Sequence, residues 1–260
     1  WEQGVQNIPP ENQIYSDDHL WLLLSIPAYL KETGDLEFLG RMAPYADQGE
    51  DSVYDHLKKA LEFSWKKRGP HGLLLGLAAD WNEFIKLAAY LERTADADHF
   101  RAYCKEIKDR INEYAWDGQW FLRGYLDSGK KLGGQESEQS KIFINSQTWA
   151  VIAGVADRER LVQAMDSLKA LLATEHGIVK NYPAYQEHIA EVGAITDFPP
   201  GLKENAAIFC HANTWAVIAE GILGRGDQAF EYYRSFLPAA KNESAEVYTM
   251  EPYVYSQFIT

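Results

Sequence analysis

Gln147-Thr148-Trp149-Ala150-Val151-Ile152-Ala153 and Asn213-Thr214-Trp215-Ala216-Val217-Ile218-Ala219 are two copies of one pattern. Each is followed by a short turn and an aspartate, Asp157 or Asp227, placed to cap a second helix over about 158–173 or about 227–236. A helix, a turn and an antiparallel helix, repeated, is the signature of stacked helical hairpins. The Trp-Ala-Val-Ile-Ala helices are apolar nearly all round, so they are expected inside; their charged, amphipathic partners belong outside. A closed ring of such hairpins is an all-helical (α/α) toroid.

Working outward, Ser16 is placed to cap a helix with Asp17 and Asp18 in its first turn, where carboxylates suit the helix dipole. That helix runs through Trp21 to about Thr33 and stops at Gly34, with Pro27 bending it. A longer helix over 51–67 buries Val53, Leu57, Ala60, Leu61 and Trp65. Helices over 84–93 and 97–115 follow, the second with a Phe100, Cys104, Ile107 and Ile111 stripe. Residues 119–134 break the helical pattern: Trp120, Phe121, Leu122 and Tyr125 lead to Asp127-Ser128-Gly129 and Leu132, a β-hairpin insertion. The stretch 177–203 is long and irregular, with Pro183, Pro199 and Pro200. A loop of this length inside a compact domain is usually functional or disordered.

Composition narrows the function. Among 260 residues the net charge is -13, which repels nucleic-acid backbones and anionic lipid, so neither partner is expected. No apolar run is long enough to cross a bilayer. Two cysteines, Cys104 and Cys210, in partly apolar helical contexts suit a reducing cytoplasm. No pair of histidines has metal-ligand spacing with a carboxylate or thiolate, and there is no phosphate-binding glycine loop or nucleophile elbow. Eight Trp and fifteen Tyr are either core residues or stacking platforms for sugar rings, and composition does not choose.

Six short stretches carry a resemblance, in order along the chain. They are Ser16-Asp17-Asp18-His19-Leu20-Trp21, Lys31-Glu32-Thr33-Gly34-Asp35, Ala79-Asp80-Trp81-Asn82-Glu83, Trp116-Asp117-Gly118-Gln119-Trp120, the run from Gly201 through Lys203-Glu204-Asn205 to His211, and Glu251-Pro252-Tyr253. Together they resemble the cellobiose and chitobiose phosphorylases, glycoside hydrolase family 94. The resemblance implies an (α/α)6 toroid, complete or missing helices, spanning 1–260 as one catalytic domain. It also implies a fragment without the family's N-terminal β-sandwich and first barrel helices.

The chemistry so implied is inverting phosphorolysis of β-linked gluco-oligosaccharides, giving an α-sugar 1-phosphate. Glu83 stands where the family has an aspartate as general acid, one methylene longer. It would protonate the glycosidic oxygen while phosphate attacks from the opposite face, and its pKa is expected to be raised. Asp18, Trp81 and Glu204 match sugar-binding positions, and His211 matches a phosphate ligand. The partners implied are the oligosaccharide and inorganic phosphate as co-substrate, with no other cofactor and with a homodimer as a possible assembly. Each residue has a plainer reading. Asp80 and Glu83 also form a capping box, Asp18 is also a first-turn acid, Trp81 a core residue, Glu204 a solvated helix-end charge and His211 a structural histidine.

Two departures stand out. Residues 1–15 contain no basic residue where the family places arginines for phosphate. Ile85-Lys86-Leu87-Ala88 runs straight into the next helix where the family has an extra loop and helix. The first departure keeps open an inverting glycoside hydrolase with a second carboxylate (Asp17, Asp18 or Glu204) holding water. The altered acid and the truncation keep open a non-catalytic sugar-binding toroid.

Overall fold

The computed structural model describes residues 18–74 and 81–260, with the backbone alone of Asp18. The Ser16 cap, Asp17 and Asp80 lie outside the described residues. The described chain is mainly helical, and its contacts divide it into two compact units, Trp1–Ile111 and Asn112–Thr260.

In the first unit, a 3-10 turn at Asp18–Leu20 leads to α1 (Leu22–Thr33). The helix stops where the sequence places its end. Gly34 takes φ 71°, the left-handed conformation that a side chain disfavours, and its N–H bonds to the Leu30 carbonyl at 2.9 Å. Strands β1 (Met42–Pro44) and β2 (Glu50–Ser52) form a short antiparallel ribbon. Ser52 then caps α2 (Val53–Lys66) by accepting from the Asp55 amide at 3.1 Å. Helices α3 (Asn82–Tyr90) and α4 (Thr94–Arg110) complete the unit.

The apolar faces converge on one core: Leu20, Leu23, Tyr54, Leu57, Leu61, Trp81, Phe84 and Phe100, all buried. Each such side chain contributes about 1.5–3 kcal/mol by leaving water. The 97–115 helix expected from sequence ends earlier as α-helix, the last turn, Ile111–Ala115, being a wider π-type turn.

The second unit holds the repeats. The expected hairpin is present as β3 (Gly124–Tyr125) paired with β4 (Lys131–Leu132). β5 (Ile142–Phe143) leads into α5 (Ile144–Ala153), and α6 (Arg158–Leu172) is capped by Asp157, which accepts from the Arg160 amide at 2.9 Å. Next come β6 (Ala173–Thr174), β7 (Gly177–Ile178) and β8 (Asn181–Tyr182), then β9 (Ile208–Phe209) leading into α7 (Cys210–Ile222). α8 (Gly226–Phe236), α9 (Ala245–Tyr248) and β10 (Phe258–Ile259) close the chain. Asp227 does not cap α8. Arg225 occupies the cap position without a side-chain capping bond, and Asp227 lies in the first turn.

The likeness between the repeats starts earlier than Gln147 and Asn213. Ile142-Phe143 and Ile208-Phe209 are the extended residues before each helix. The amide at the corresponding position of each helix is fully buried and makes the same three bonds. Gln147 accepts from the Phe121 amide at 2.9 Å and donates to the Phe121 and Phe143 carbonyls at 2.9 and 3.1 Å. Asn213 accepts from Ile178 at 2.7 Å and donates to Ile178 and Phe209, each at 2.9 Å. Each amide thus pairs a distant backbone segment like a strand and ties it to the carbonyl of the residue before its own helix.

The helices pack α5 on α7 and α7 on α8, with Trp149 and Trp215 meeting edge-to-face at 5.2 Å. Asn213→Ala leaves the Ile178 amide and two carbonyls without these partners, and each orphaned buried group costs about 1–3 kcal/mol. A loss of about 2–4 kcal/mol in urea unfolding is expected. A loss under 0.5 kcal/mol contradicts this role.

Candidate active site

Glu83 sits in the first turn of α3, immediately after Asn82, with Trp81 at the cap position. The backbone amide that the capping-box reading pairs with it belongs to Asp80, outside the described residues. Among the described residues, the carboxylate lies between two ammonium groups, Lys31 from the last turn of α1 and Lys86 one turn on, the latter at 2.7 Å. Glu83 is 16% exposed, while Lys31 and Lys86 are 67% and 68% exposed.

The expected rise in its pKa is therefore not found. Burial raises it, but the hydrogen bonds and charges of Lys31 and Lys86 together outweigh burial and hold it below its ordinary value of 4.5. The ion pairs stabilise the fold at pH above the unfolded carboxyl's pKa, and this is lost as pH falls through the lower folded value. Lys31→Met removes one counter-charge while burial persists, so the Glu83 carboxyl should titrate at higher pH. A carbon-detected NMR titration checks this, and an unmoved midpoint contradicts it.

Trp81 is 3% exposed and packs in the core of the first unit, its ring 6.4 Å from that of Trp65. Its indole N–H is buried without a hydrogen-bond partner among the described residues. A buried indole usually finds one, so the donor is uncompensated here. Asp18 contributes the backbone that opens the first helical turn.

In the second unit, Glu204 lies in a tight turn in which Lys203 and Ala206 both take positive φ, 46° and 68°, and Leu202 bridges Asn205. Positive φ at residues with a Cβ costs on the order of 1–3 kcal/mol and persists only where surroundings enforce it. The enforcement comes from two fully buried asparagines. Asn205 accepts from the Tyr185 amide at 2.8 Å and donates to the Tyr185 and Phe198 carbonyls at 2.9 and 2.8 Å. Asn181 accepts from the Ala206 amide at 2.9 Å and donates to the Ser140 hydroxyl at 2.6 Å. The stretch 177–203 is thus held by side-chain amides as well as by short backbone pairings, a pattern no periodicity reveals.

Glu204 forms an ion pair with Lys180, whose side chain is 15% exposed. Burial, and then the charge of Arg123, push the Lys180 ammonium down. His211 stands in the first turn of α7, its ring 4.7 Å from Trp215 and 5.5 Å from Phe209. Burial and then the Lys180 charge hold its pKa below 6.5, which favours the uncharged imidazole at neutral pH.

The Arg123 charge thus acts on Lys180, and the Lys180 charge on His211, in a chain of net charge -13. Sequence reasoning named Glu204 and His211 but missed Lys180 and Arg123. His211 also lines an apolar cavity of about 510 Å³ with Phe209, Val217, Tyr233 and Tyr255.

The family model described as "Glycosyl hydrolase 94 superfamily, catalytic domain" matches residues 2–92 and 82–260. The chain belongs to this family. The two glycosyl hydrolase 94 matches share residues 82–92, which include Ile85-Lys86-Leu87-Ala88.

Several similar proteins are phosphorylases by name, and one, of Rhizobium meliloti, is named a cyclic beta-(1,2)-glucan synthase. N,N'-diacetylchitobiose phosphorylase of Vibrio proteolyticus is 38% identical over 94% of this chain and 34% of its own length. Solabiose phosphorylase of Paenibacillus borealis is 33% identical over 96% of this chain and 36% of its own. Cellobionic acid phosphorylase of Neurospora crassa is 29% identical over 87% and 32%. The chain spans about a third of the length of these relatives. No helix among the described residues is long and apolar enough to cross a membrane, and no group of three or more potential metal ligands occurs among them.

Proposed function

We propose that this glycosyl hydrolase 94 chain supplies the catalytic residues for inverting phosphorolysis of a β-linked gluco-oligosaccharide, releasing an α-sugar 1-phosphate. The observation that carries the reading is the match along nearly the whole chain to proteins named as phosphorylases. In this account the helical hairpins belong to one (α/α)6 toroid over 1–260, and the protein works in the cytoplasm.

Glu83 gives its proton to the glycosidic oxygen as the bond to the anomeric carbon breaks. A phosphate oxygen forms the new bond to that carbon from the opposite face, so configuration inverts. One protein carboxyl suffices because phosphate takes the place of an activated water. Asp18, Trp81 and Glu204 hold the sugar, and His211 donates to phosphate. Phosphate is the co-substrate, and no other cofactor enters the reaction. Arg123, whose charge acts on Lys180, adds a cation to the second unit of a chain whose residues 1–15 offer no basic group.

An ionised Glu83 cannot act as an acid, so substrate binding has to change its partners. Lys31 and Lys86 are long and about two-thirds exposed. A sugar that displaces them leaves burial alone acting on the carboxyl, and burial raises its pKa. Product analysis with and without phosphate tests the function. Sugar 1-phosphate formed only with phosphate supports it. Reducing sugar released equally without phosphate is the hydrolase outcome, and sugar binding without turnover is the non-catalytic one.

A further inference from the structure

Lys180 is a cation that neither the sequence motifs nor the similar proteins' names assign to a role. Its backbone is fixed on both sides: its N–H bonds to the Ala207 carbonyl at 2.9 Å, and its carbonyl accepts from the Ile144 amide at 3.0 Å. Its side chain passes within 5.3 Å of the centre of the Phe209 ring and ends on the Glu204 carboxylate. Glu204 is more exposed, at 33%, and sits in the strained turn held by Asn181 and Asn205. The backbone of Glu204 is therefore set by the asparagines, and its carboxylate by Lys180.

We propose that Lys180 is a positioning residue, fixing the Glu204 carboxylate for a sugar hydroxyl. The proposal rests on the reading of Glu204 as a sugar-binding residue. A glutamate held by a buried ammonium loses its side-chain freedom before the ligand arrives, so the cost of ordering it does not fall on binding. Stability gives no comparable reason for the pair. Partly burying the ammonium costs desolvation that its attraction to a one-third exposed carboxylate only partly returns, and an apolar residue of similar volume is often as stabilising.

The test is a double-mutant cycle with Lys180→Met and Glu204→Gln, read as kinetics on a β-linked disaccharide with inorganic phosphate, with melting temperatures alongside. Lys180→Met should raise KM about tenfold, the size of one lost hydrogen bond to a charged group, with kcat changing less and the melting temperature near that of the wild type. The double variant should be no worse than Glu204→Gln alone, and Lys180→Arg should recover part of the loss. An active wild type in which the two substitutions act independently, or in which Lys180→Met leaves KM unchanged, overturns the positioning role alone. A wild type with no phosphate-dependent turnover overturns the functional reading, and the proposal with it.

Discussion

Replacing Glu83 by glutamine should lower kcat on a β-linked disaccharide by about 10²–10⁴-fold, the range that a positioned general acid supplies. The substitution keeps the volume and removes the ionisable proton. It should leave the fold in place. Glu83 is held by Lys31 and Lys86, both mostly exposed, and such pairs contribute on the order of 1 kcal/mol or less after screening by solvent. Near-native melting with collapsed turnover is therefore the expected pair of results. Unchanged turnover would remove Glu83 from the mechanism. Because the lysines hold the free carboxyl below 4.5, the pH profile of kcat/KM should fall at lower pH than that of kcat. The first profile reports the free protein and the second the complex, in which the lysines have been displaced.

Arg225→Ala should produce the largest loss of stability, about 3–5 kcal/mol. Glu220 on α7 is completely buried, and both of its oxygens are taken by one guanidinium, Nε at 2.5 Å and Nη2 at 2.7 Å. The same guanidinium reaches Asp166 on α6. The hydrogen bonds it donates to Glu220 raise the arginine's own pKa, so the guanidinium stays charged at any working pH. Removing Arg225 strands a carboxylate in the interior, and that penalty is large against a total stability of about 5–15 kcal/mol. Lysine should not restore it, because one ammonium cannot reproduce the planar two-bond fork. Adding Glu220→Leu to Arg225→Met should recover much of the loss by removing the stranded charge. Urea unfolding followed by circular dichroism measures each variant. A loss below 1 kcal/mol for Arg225→Ala contradicts the assignment.

What could be read from the sequence was what repeats or alternates over many residues. The Trp-Ala-Val-Ile-Ala copies gave α5 and α7, Asp157 gave the start of α6, Gly34 the end of α1, and the Asp127-Ser128-Gly129 turn the β3–β4 hairpin. The strand pairs β5–β8 and β9–β10 were not legible, since two residues carry no alternation and their partners lie far along the chain. Asp227 looked like Asp157 in sequence but did not become a cap, because Arg225 holds that position and its side chain is committed to Glu220.

The site divides in the same way. Glu83, Glu204 and His211 could be named from motifs, but the environments of Glu83 and Glu204 depend on residues remote in sequence. Lys31 lies 52 positions from Glu83, and Lys180 meets Glu204 through a loop without periodicity. One missed signal was available. An amide at Gln147 and at Asn213, at the same place in the two copies, marks a buried polar group that must be satisfied.

The central claim is that the carboxyl at position 83 protonates the leaving group. The most direct measurement compares wild type and Glu83→Gln on a β-linked disaccharide and on a β-glycosyl fluoride, each with phosphate. Fluoride leaves with little need of a proton, so the account predicts a loss of about 10²-fold or more on the disaccharide and a much smaller loss on the fluoride. Equal losses on the two substrates would contradict it.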